Sequence, residues 1–231
     1  MALIDNCILW SKLGTNGQIN SPEIGTGSTV GTISYAPGRF DNGVDNANNI
    51  NYGTFTWTNR NKGIIEFWWK PNFPSTSTVQ SVQVQSNPLG EHFRAMWKDV
   101  KNYRIYFNEF GYFAEYFFDM TFSANDLFHM LIMFDSAESN NNRIKLYKDG
   151  VLQNLAFTNN DGPWNFSDGT MEVGSDVQTT GGVVDNVKVY DDTTSILAEV
   201  IANRNNEGFP TGGTKKLLDG FDSNLTESVL I

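Results

Sequence analysis

Short stretches in which apolar and polar residues alternate recur along the whole chain. Residues 102–108 are one example, and Asp149-Gly150 follows another at 143–148; residues 64–70 are a more apolar strand candidate that ends at Pro71. A period of two is typical of β-strands with one buried face, and Asp-Gly between two such stretches indicates a hairpin turn. Strands at intervals of roughly 8–12 residues, separated by Gly and Asn, predict an all-β sandwich.

One segment near the C-terminus has the periodicity of a helix instead. Ile196, Leu197, Val200 and Ile201 form a single stripe, which predicts a short C-terminal helix within residues 194–206. No other helix longer than a single turn is expected, so we predict that less than about a tenth of the chain is helical.

The composition changes after Pro210, where a Gly-rich hinge is followed by a segment rich in Leu that also holds Phe221, Val229 and Ile231. We therefore divide the chain into a domain of residues 1–209 and a C-terminal tail of residues 210–231. The tail is too apolar for a solvated linker. This predicts that it docks on a partner chain or on a neighbouring copy.

Composition and charge narrow the classes of function. The chain has 231 residues, which suits one large β-domain. Its 16 Lys and Arg against 26 Asp and Glu give a formal charge of −10, which argues against nucleic acid or an anionic membrane surface as a partner. No apolar run is long enough for a membrane span, and Met1–Asp5 shows no secretory signal. We therefore expect no membrane insertion.

Six short segments occur in an order that resembles a known family. They are Pro37–Val44, Ile65–Pro71, Phe128–Ile132, Leu146–Val151, Glu172–Ser175 and Val184–Tyr190. These motifs cover about residues 7–205 and resemble the laminin-G-like jelly roll of the concanavalin A-like lectin/glucanase superfamily. The resemblance implies a two-sheet antiparallel jelly-roll sandwich in which one sheet is concave.

The resemblance also implies a structural calcium ion. In related sandwiches a calcium often joins the N-terminal strand to the closing strand, through the Asp that matches Asp185 and through main-chain carbonyls. Asp5 is the second candidate ligand, since it would approach Asp185 if the terminal strands pair. The alternative is that Asp185 only accepts hydrogen bonds from turn amides.

Catalytic residues are not apparent. Glucanases of this superfamily carry an E-x-D-x-x-E strand, because retaining hydrolysis needs two carboxyl groups about 5–5.5 Å apart. Glu66 has Trp68 at the +2 position, so this pattern does not occur there. We therefore predict that the chain is not an enzyme, with a polysaccharide-active enzyme lacking the usual motif as a lesser alternative.

Aromatic residues that share a strand face with charged residues suggest a sugar-binding surface. An aromatic ring stacks on a pyranose, and charged groups bind its hydroxyls. The predicted carbohydrate-binding residues, expected together on the concave sheet, are Trp68, Glu66, Arg104, Tyr106 and Tyr147. For each residue the alternative is packing in the core.

Two functions follow from these observations. The first is a non-catalytic, lectin-like domain that binds a glycan or surface polysaccharide on a cell or virion surface. The second is a structural, decoration or adhesin subunit of a phage virion or other assembly, which docks on other subunits through its tail. The two readings are compatible, and both predict an extracellular or virion-surface location.

Overall fold

The computed structural model describes residues 3–45, 52–57, 61–86, 91–109, 112–139, 142–158, 169–173, 181–191 and 196–209. Within these ranges two antiparallel sheets of eight strands each stack into a sandwich, which confirms the predicted fold class. The tail of residues 210–231 lies outside the described residues, so its predicted docking on a partner stays a prediction.

Sheet A has the order β13-β12-β11-β6-β16-β4-β3. On the edge of β16 that β4 leaves unpaired beyond Val184, β1 pairs with residues 187–190. Its strands are β1 (Cys7–Ser11), β3 (Tyr35–Pro37), β4 (Asn42–Asp45), β6 (Lys62–Lys70), β11 (Phe128–Asp135), β12 (Ile144–Lys148), β13 (Val151–Leu152) and β16 (Val183–Tyr190). The predicted hairpin at Asp149-Gly150 joins β12 to β13. Both turn residues have positive φ, of 54° and 82°, as a tight two-residue hairpin requires.

Sheet B has the order β14-β10-β9-β8-β7-β15-β5-β2, so four consecutive strands form its middle. Its strands are β2 (Gly27–Val30), β5 (Tyr52–Trp57), β7 (Ser81–Ser86), β8 (Glu91–Asp99), β9 (Asn102–Glu109), β10 (Tyr112–Asp119), β14 (Ala156–Thr158) and β15 (Gly169–Val173). A 3-10 turn (Leu3–Asn6) and two short helices, α1 (Asn16–Asn20) and α2 (Leu197–Asn203), complete the elements.

Aromatic side chains fill the space between the two sheets. Trp69 of β6 is fully buried at the centre, and rings from both sheets and from the connecting loops surround it. These rings belong to Phe73, Trp97, Tyr103, Phe122 and Phe128. Large rings bury the most apolar area per residue, so this cluster supplies much of the hydrophobic stabilisation of the sandwich.

The outer face of sheet A is covered as well. Helix α2 forms within the predicted range, and Val200 packs with Ile64, Leu131 and Tyr190 in a second apolar cluster. As a result, β6 is buried on both faces from residue 63 to residue 69. The expectation that one face of β6 is open to solvent is therefore wrong. The physical reason is that α2 lies over this face.

Candidate functional site

The outer face of sheet B carries a row of polar side chains that crosses five strands. The strand register places each member directly opposite the next, from β15 through β7, β8 and β9 to β10. Directly opposed side chains in antiparallel sheets have Cβ atoms about 4.5–5.5 Å apart, so neighbours in the row can interact. We call these residues the polar row: Glu172, Gln85, Arg94, Tyr106 and Glu115.

Local alternation turns these residues outward. Along β8 and β9, Phe93, Ala95, Tyr103 and Ile105 point into the core and are at most 1% exposed. The side chains between them face away from the core, because consecutive strand residues point to opposite faces. The two Arg side chains of these strands, Arg94 and Arg104, thus lie on the outer face by the same periodicity that builds the core.

Hydrogen bonds hold both ends of the polar row in place. At one end Gln85 Nε2 donates to Glu172 Oε2 at 2.5 Å, and both side chains are buried. At the other end Arg104 forms an ion pair with Glu115, and its Nε donates to Asn102 Oδ1 at 3.2 Å. Hydrogen-bonded side chains in fixed orientations can bind a ligand with less loss of conformational entropy.

A depression of about 330 Å³ lies over the middle of this face. We call it the groove. Its lining residues are Gln80, Arg94, Met96, Lys98, Arg104, Tyr106 and Glu115. Burial raises the pKa of Tyr106, while the charge of Arg94 lowers it and that of Glu115 raises it. Arg94 and Glu115 are the direct cross-strand neighbours of Tyr106.

The five predicted carbohydrate-binding residues do not come together. Arg104 and Tyr106 line the groove on sheet B, whereas Glu66, Trp68 and Tyr147 belong to sheet A. The prediction of a single surface is therefore wrong. Neither periodicity nor spacing reveals which sheet a strand joins, because strand pairing is a long-range property.

Trp68 and Glu66 are buried rather than displayed. Trp68 is 7% exposed, and its Nε1 donates to the Arg204 carbonyl just after α2 at 3.2 Å. The guanidinium of Arg39 lies 4.9 Å from its ring centroid. Tyr147 is half-buried and packs against the apolar cluster under α2. These contacts make Trp68 and Tyr147 parts of the structure beneath and beside α2.

Glu66 is the centre of a buried polar cluster. Its Oε2 lies 2.9 Å from His129 Nε2, while its Oε1 accepts a hydrogen bond from the Tyr190 hydroxyl at 2.8 Å and lies 3.4 Å from Lys188 Nζ. Burial alone would raise the pKa of Glu66, but the charge of Lys188 and the hydrogen bonds from His129 and Tyr190 hold it below its usual value. All four residues are at most 3% exposed, so this cluster stabilises the fold and does not face a ligand.

Asp5 and Asp185 lie at opposite ends of the pairing between β1 and β16. The amide of Asp191 donates to the Asn6 carbonyl, and the amide of Asn186 donates to the Lys12 carbonyl. The two points are six residue steps of mostly extended chain apart, which is roughly 20 Å. The expectation that Asp5 approaches Asp185 is therefore wrong, although the terminal strands do pair as predicted.

The Asp185 carboxylate instead closes a turn of the main chain. Its Oδ2 accepts hydrogen bonds from the amides of Arg39 and Phe40 at 2.7 and 3.0 Å. Within the described ranges, no three His, Cys, Asp or Glu side chains are grouped so that they could hold a metal ion. The structural calcium stays a prediction, and no ligand set from these residues supports it.

Sequence reasoning missed Arg94, Lys98, Gln85 and Glu172. The signal for the first two was incomplete: Arg94 and Lys98 share the face opposite Phe93, Ala95 and Trp97, but the apolar Met96 on that face interrupts the alternation. Gln85 and Glu172 gave no local signal, because they meet only through the pairing of β7 with β15.

Comparison with known proteins supports the fold. No family model and no curated protein matches the sequence, so the laminin-G-like assignment stays a prediction. Among solved structures, domain 4 of AbnA, a GH43 extracellular arabinanase from Geobacillus stearothermophilus, in complex with arabinotriose, is 14% identical with a TM-score of 0.61. The alignment covers 85% of this chain and 97% of that domain.

Parts of two botulinum neurotoxin structures have a similar fold. The botulinum neurotoxin serotype D binding domain is 13% identical with a TM-score of 0.64, over 87% of this chain and 52% of that one. The structure of botulinum neurotoxin type C, whose cell entry depends on two ganglioside molecules, is 11% identical with a TM-score of 0.64, over 90% and 53%. The chain thus spans about half the length of these toxin domains. At such identities the likeness shows the fold. No helix in the described part of the chain is long and apolar enough to cross a membrane.

Proposed function

We propose that the groove on sheet B binds a glycan without cleaving it. The observation that carries this proposal is the polar row, in which the half-buried ring of Tyr106 lies between Arg94 and Glu115. An aromatic ring offers a stacking surface for a sugar, and the flanking guanidinium and carboxylate offer partners for hydroxyl groups.

The positions of the carboxylates favour binding over hydrolysis. Glu115 and Glu172 lie at opposite ends of the polar row, four strand spacings apart, which is roughly 19 Å. Glycoside hydrolysis needs two carboxyl groups about 5–9.5 Å apart. Each is also held by a hydrogen bond from a neighbouring side chain. This pair therefore does not suit acid–base or nucleophilic attack on a glycosidic bond.

Two neighbours in the fold add support. Domain 4 of AbnA was solved with arabinotriose, and botulinum neurotoxin type C interacts with ganglioside molecules. We place the present protein outside a cell or on a virion surface as part of the same proposal, because polysaccharides and glycolipids are displayed there.

The test compares two tyrosines of similar exposure on different sheets. Binding to a panel of polysaccharides is measured by affinity electrophoresis for the wild type, Tyr106→Ala and Tyr147→Ala. Loss of one stacking contact should weaken binding roughly three- to tenfold in Tyr106→Ala, while Tyr147→Ala should bind as the wild type does. Unchanged binding by Tyr106→Ala would contradict the proposal, and a loss confined to Tyr147→Ala would move the site to sheet A.

A further inference from the structure

The groove has an excess of positive charge on an otherwise acidic protein. Among the described residues, its lining includes Arg94, Lys98 and Arg104 and one carboxylate, that of Glu115, whereas the whole chain has a formal charge of −10. The carboxylate of Glu115 is already paired with Arg104. The two remaining cations therefore set the charge that a ligand meets.

Arg94 is the cation best placed to bind a ligand. It stands at the centre of the polar row, opposite Gln85 on one side and Tyr106 on the other. Its Nε is buried without a hydrogen-bond partner, and in the described part of the chain Arg94 forms no ion pair. The side chain as a whole is half-buried and lines the groove, so a ligand carboxylate could bind the exposed part of the guanidinium without displacing an ion pair.

Arg104 and Lys98 can assist in different ways. Asn102 and Glu115 fix the planar guanidinium of Arg104 from two directions. Lys98 is half-exposed at the edge of the groove, and its ammonium can follow a charged group on a flexible stem. The groove thus offers three cationic groups at different positions, those of Arg94, Arg104 and Lys98. This arrangement suits a ligand whose negative charges are separated from one another.

We propose that the groove selects glycans that carry carboxylate groups, with Arg94 as the principal contact to a uronate or similar acidic sugar. This inference rests on the proposed function of the groove. A guanidinium binds a carboxylate through two parallel hydrogen bonds, and Tyr106 lies beside Arg94 to receive the ring that bears the carboxylate. A nucleic acid does not fit, because three cations cannot overcome the repulsion of a chain with this net charge.

The first experiment uses pairs of oligosaccharides that differ only in charge. Hexasaccharides of galacturonic acid, glucuronic acid and mannuronic acid are compared with the neutral hexasaccharides of the same linkage and with sulfated forms of the neutral chains. Binding is measured by isothermal titration calorimetry at 20 and 500 mM NaCl. At least one uronate should bind, with its neutral counterpart at least about tenfold weaker, and the difference should shrink at high salt.

The second experiment assigns the selectivity to Arg94. Arg94→Gln should weaken binding of the preferred uronate about ten- to a hundredfold, because a hydrogen bond to a charged group is lost, and it should change binding of neutral sugars little. Lys145→Gln is the matched control, since it removes one positive charge from sheet A. It should bind as the wild type does.

The outcomes separate this inference from the function on which it rests. Equal binding of neutral and acidic chains, preference for sulfated chains, or equal losses in Arg94→Gln and Lys145→Gln would overturn the carboxylate selectivity and leave glycan binding intact. Binding of no oligosaccharide in the panel would count against both.

Discussion

The buried ion pair between Glu66 and Lys188 allows a quantitative test of the structure beneath α2. Glu66→Gln leaves the ammonium of Lys188 buried near the rings of Trp10 and Phe209 without its carboxylate. At 3.4 Å between Nζ and Oε1 and an effective dielectric of ~20, the lost attraction is about 5 kcal/mol. Removal of one partner from a buried pair typically costs about 3–5 kcal/mol. The expected loss is thus a large part of the ~5–15 kcal/mol that stabilises a domain.

The double variant distinguishes pairing from mere packing. In Glu66→Gln/Lys188→Met no uncompensated charge is left, and the Met side chain keeps most of the volume of the Lys stem. We expect the double variant to recover most of the stability lost in Glu66→Gln, which gives a large coupling energy in the double-mutant cycle. The free energy of unfolding is measured by urea titration at pH 7, followed by tryptophan fluorescence.

A partly exposed group of ion pairs supplies the control. Lys12 Nζ lies 3.6 Å from Glu23 Oε1 and 3.5 Å from Glu207 Oε2, and the Lys12 side chain is 29% exposed. Lys12→Met should therefore change the free energy of unfolding by less than about 1 kcal/mol. The reasoning is refuted if Glu66→Gln lowers the free energy of unfolding no more than this control does. It is also refuted if the loss in the double variant equals the sum of the losses in Glu66→Gln and Lys188→Met.

Three further predictions concern Asp185 and Trp68. Burial raises the pKa of the Asp185 carboxyl from 3.8 to about 6, so the folded state binds a proton that the unfolded state releases. Stability should fall by about 3 kcal/mol as the pH rises from about 4 through about 6. Urea unfolding at pH 4.5, 5.5 and 6.5 should show this fall in the wild type and a flatter profile in Asp185→Asn, and identical profiles would contradict it. Trp68→Ala should cost about 3–5 kcal/mol in a thermal melt analysed for unfolding free energy, whereas a loss below about 1 kcal/mol would indicate an exposed ring. If a calcium ion binds at Asp185 as the family resemblance implies, calcium should raise the melting temperature relative to EDTA and Asp185→Asn should weaken that response; equal melts reject an exchangeable ion.

The fold class could be predicted from the sequence because each strand carries its own signal. Alternation in β9 correctly separates Tyr103 and Ile105, which face the core, from Arg104 and Tyr106, which do not. The stripe of Leu197 and Val200 likewise predicts α2. These signals are local, and the turn residues Asp149-Gly150 agree with them. They can therefore be recognised in the sequence without knowledge of the tertiary structure.

The location of the site could not be predicted in the same way. The path of α2 across sheet A depends on contacts distant in sequence, such as that between Trp68 and Arg204. The sequence of β11 does indicate that sheet A is covered on its outer side. Leu131 and Met133 make both faces of this strand apolar, as is usual for a strand buried on both sides. Taken with the same feature at Ile64 of β6, this pattern argues against an open face beside Trp68.

The most direct test of the groove is a map of where a glycan touches the protein. Isotope-labelled protein is titrated with the oligosaccharide that binds most tightly, and amide chemical shifts are followed by NMR. The account predicts that the largest shifts fall on β8 and β9, around Arg94 and Tyr106, and that Tyr106→Ala needs roughly three- to tenfold more ligand to reach half of the full shift. Largest shifts on β6, β11 or α2 of the opposite face, with β8 and β9 unchanged, would contradict the assignment of the binding site to sheet B.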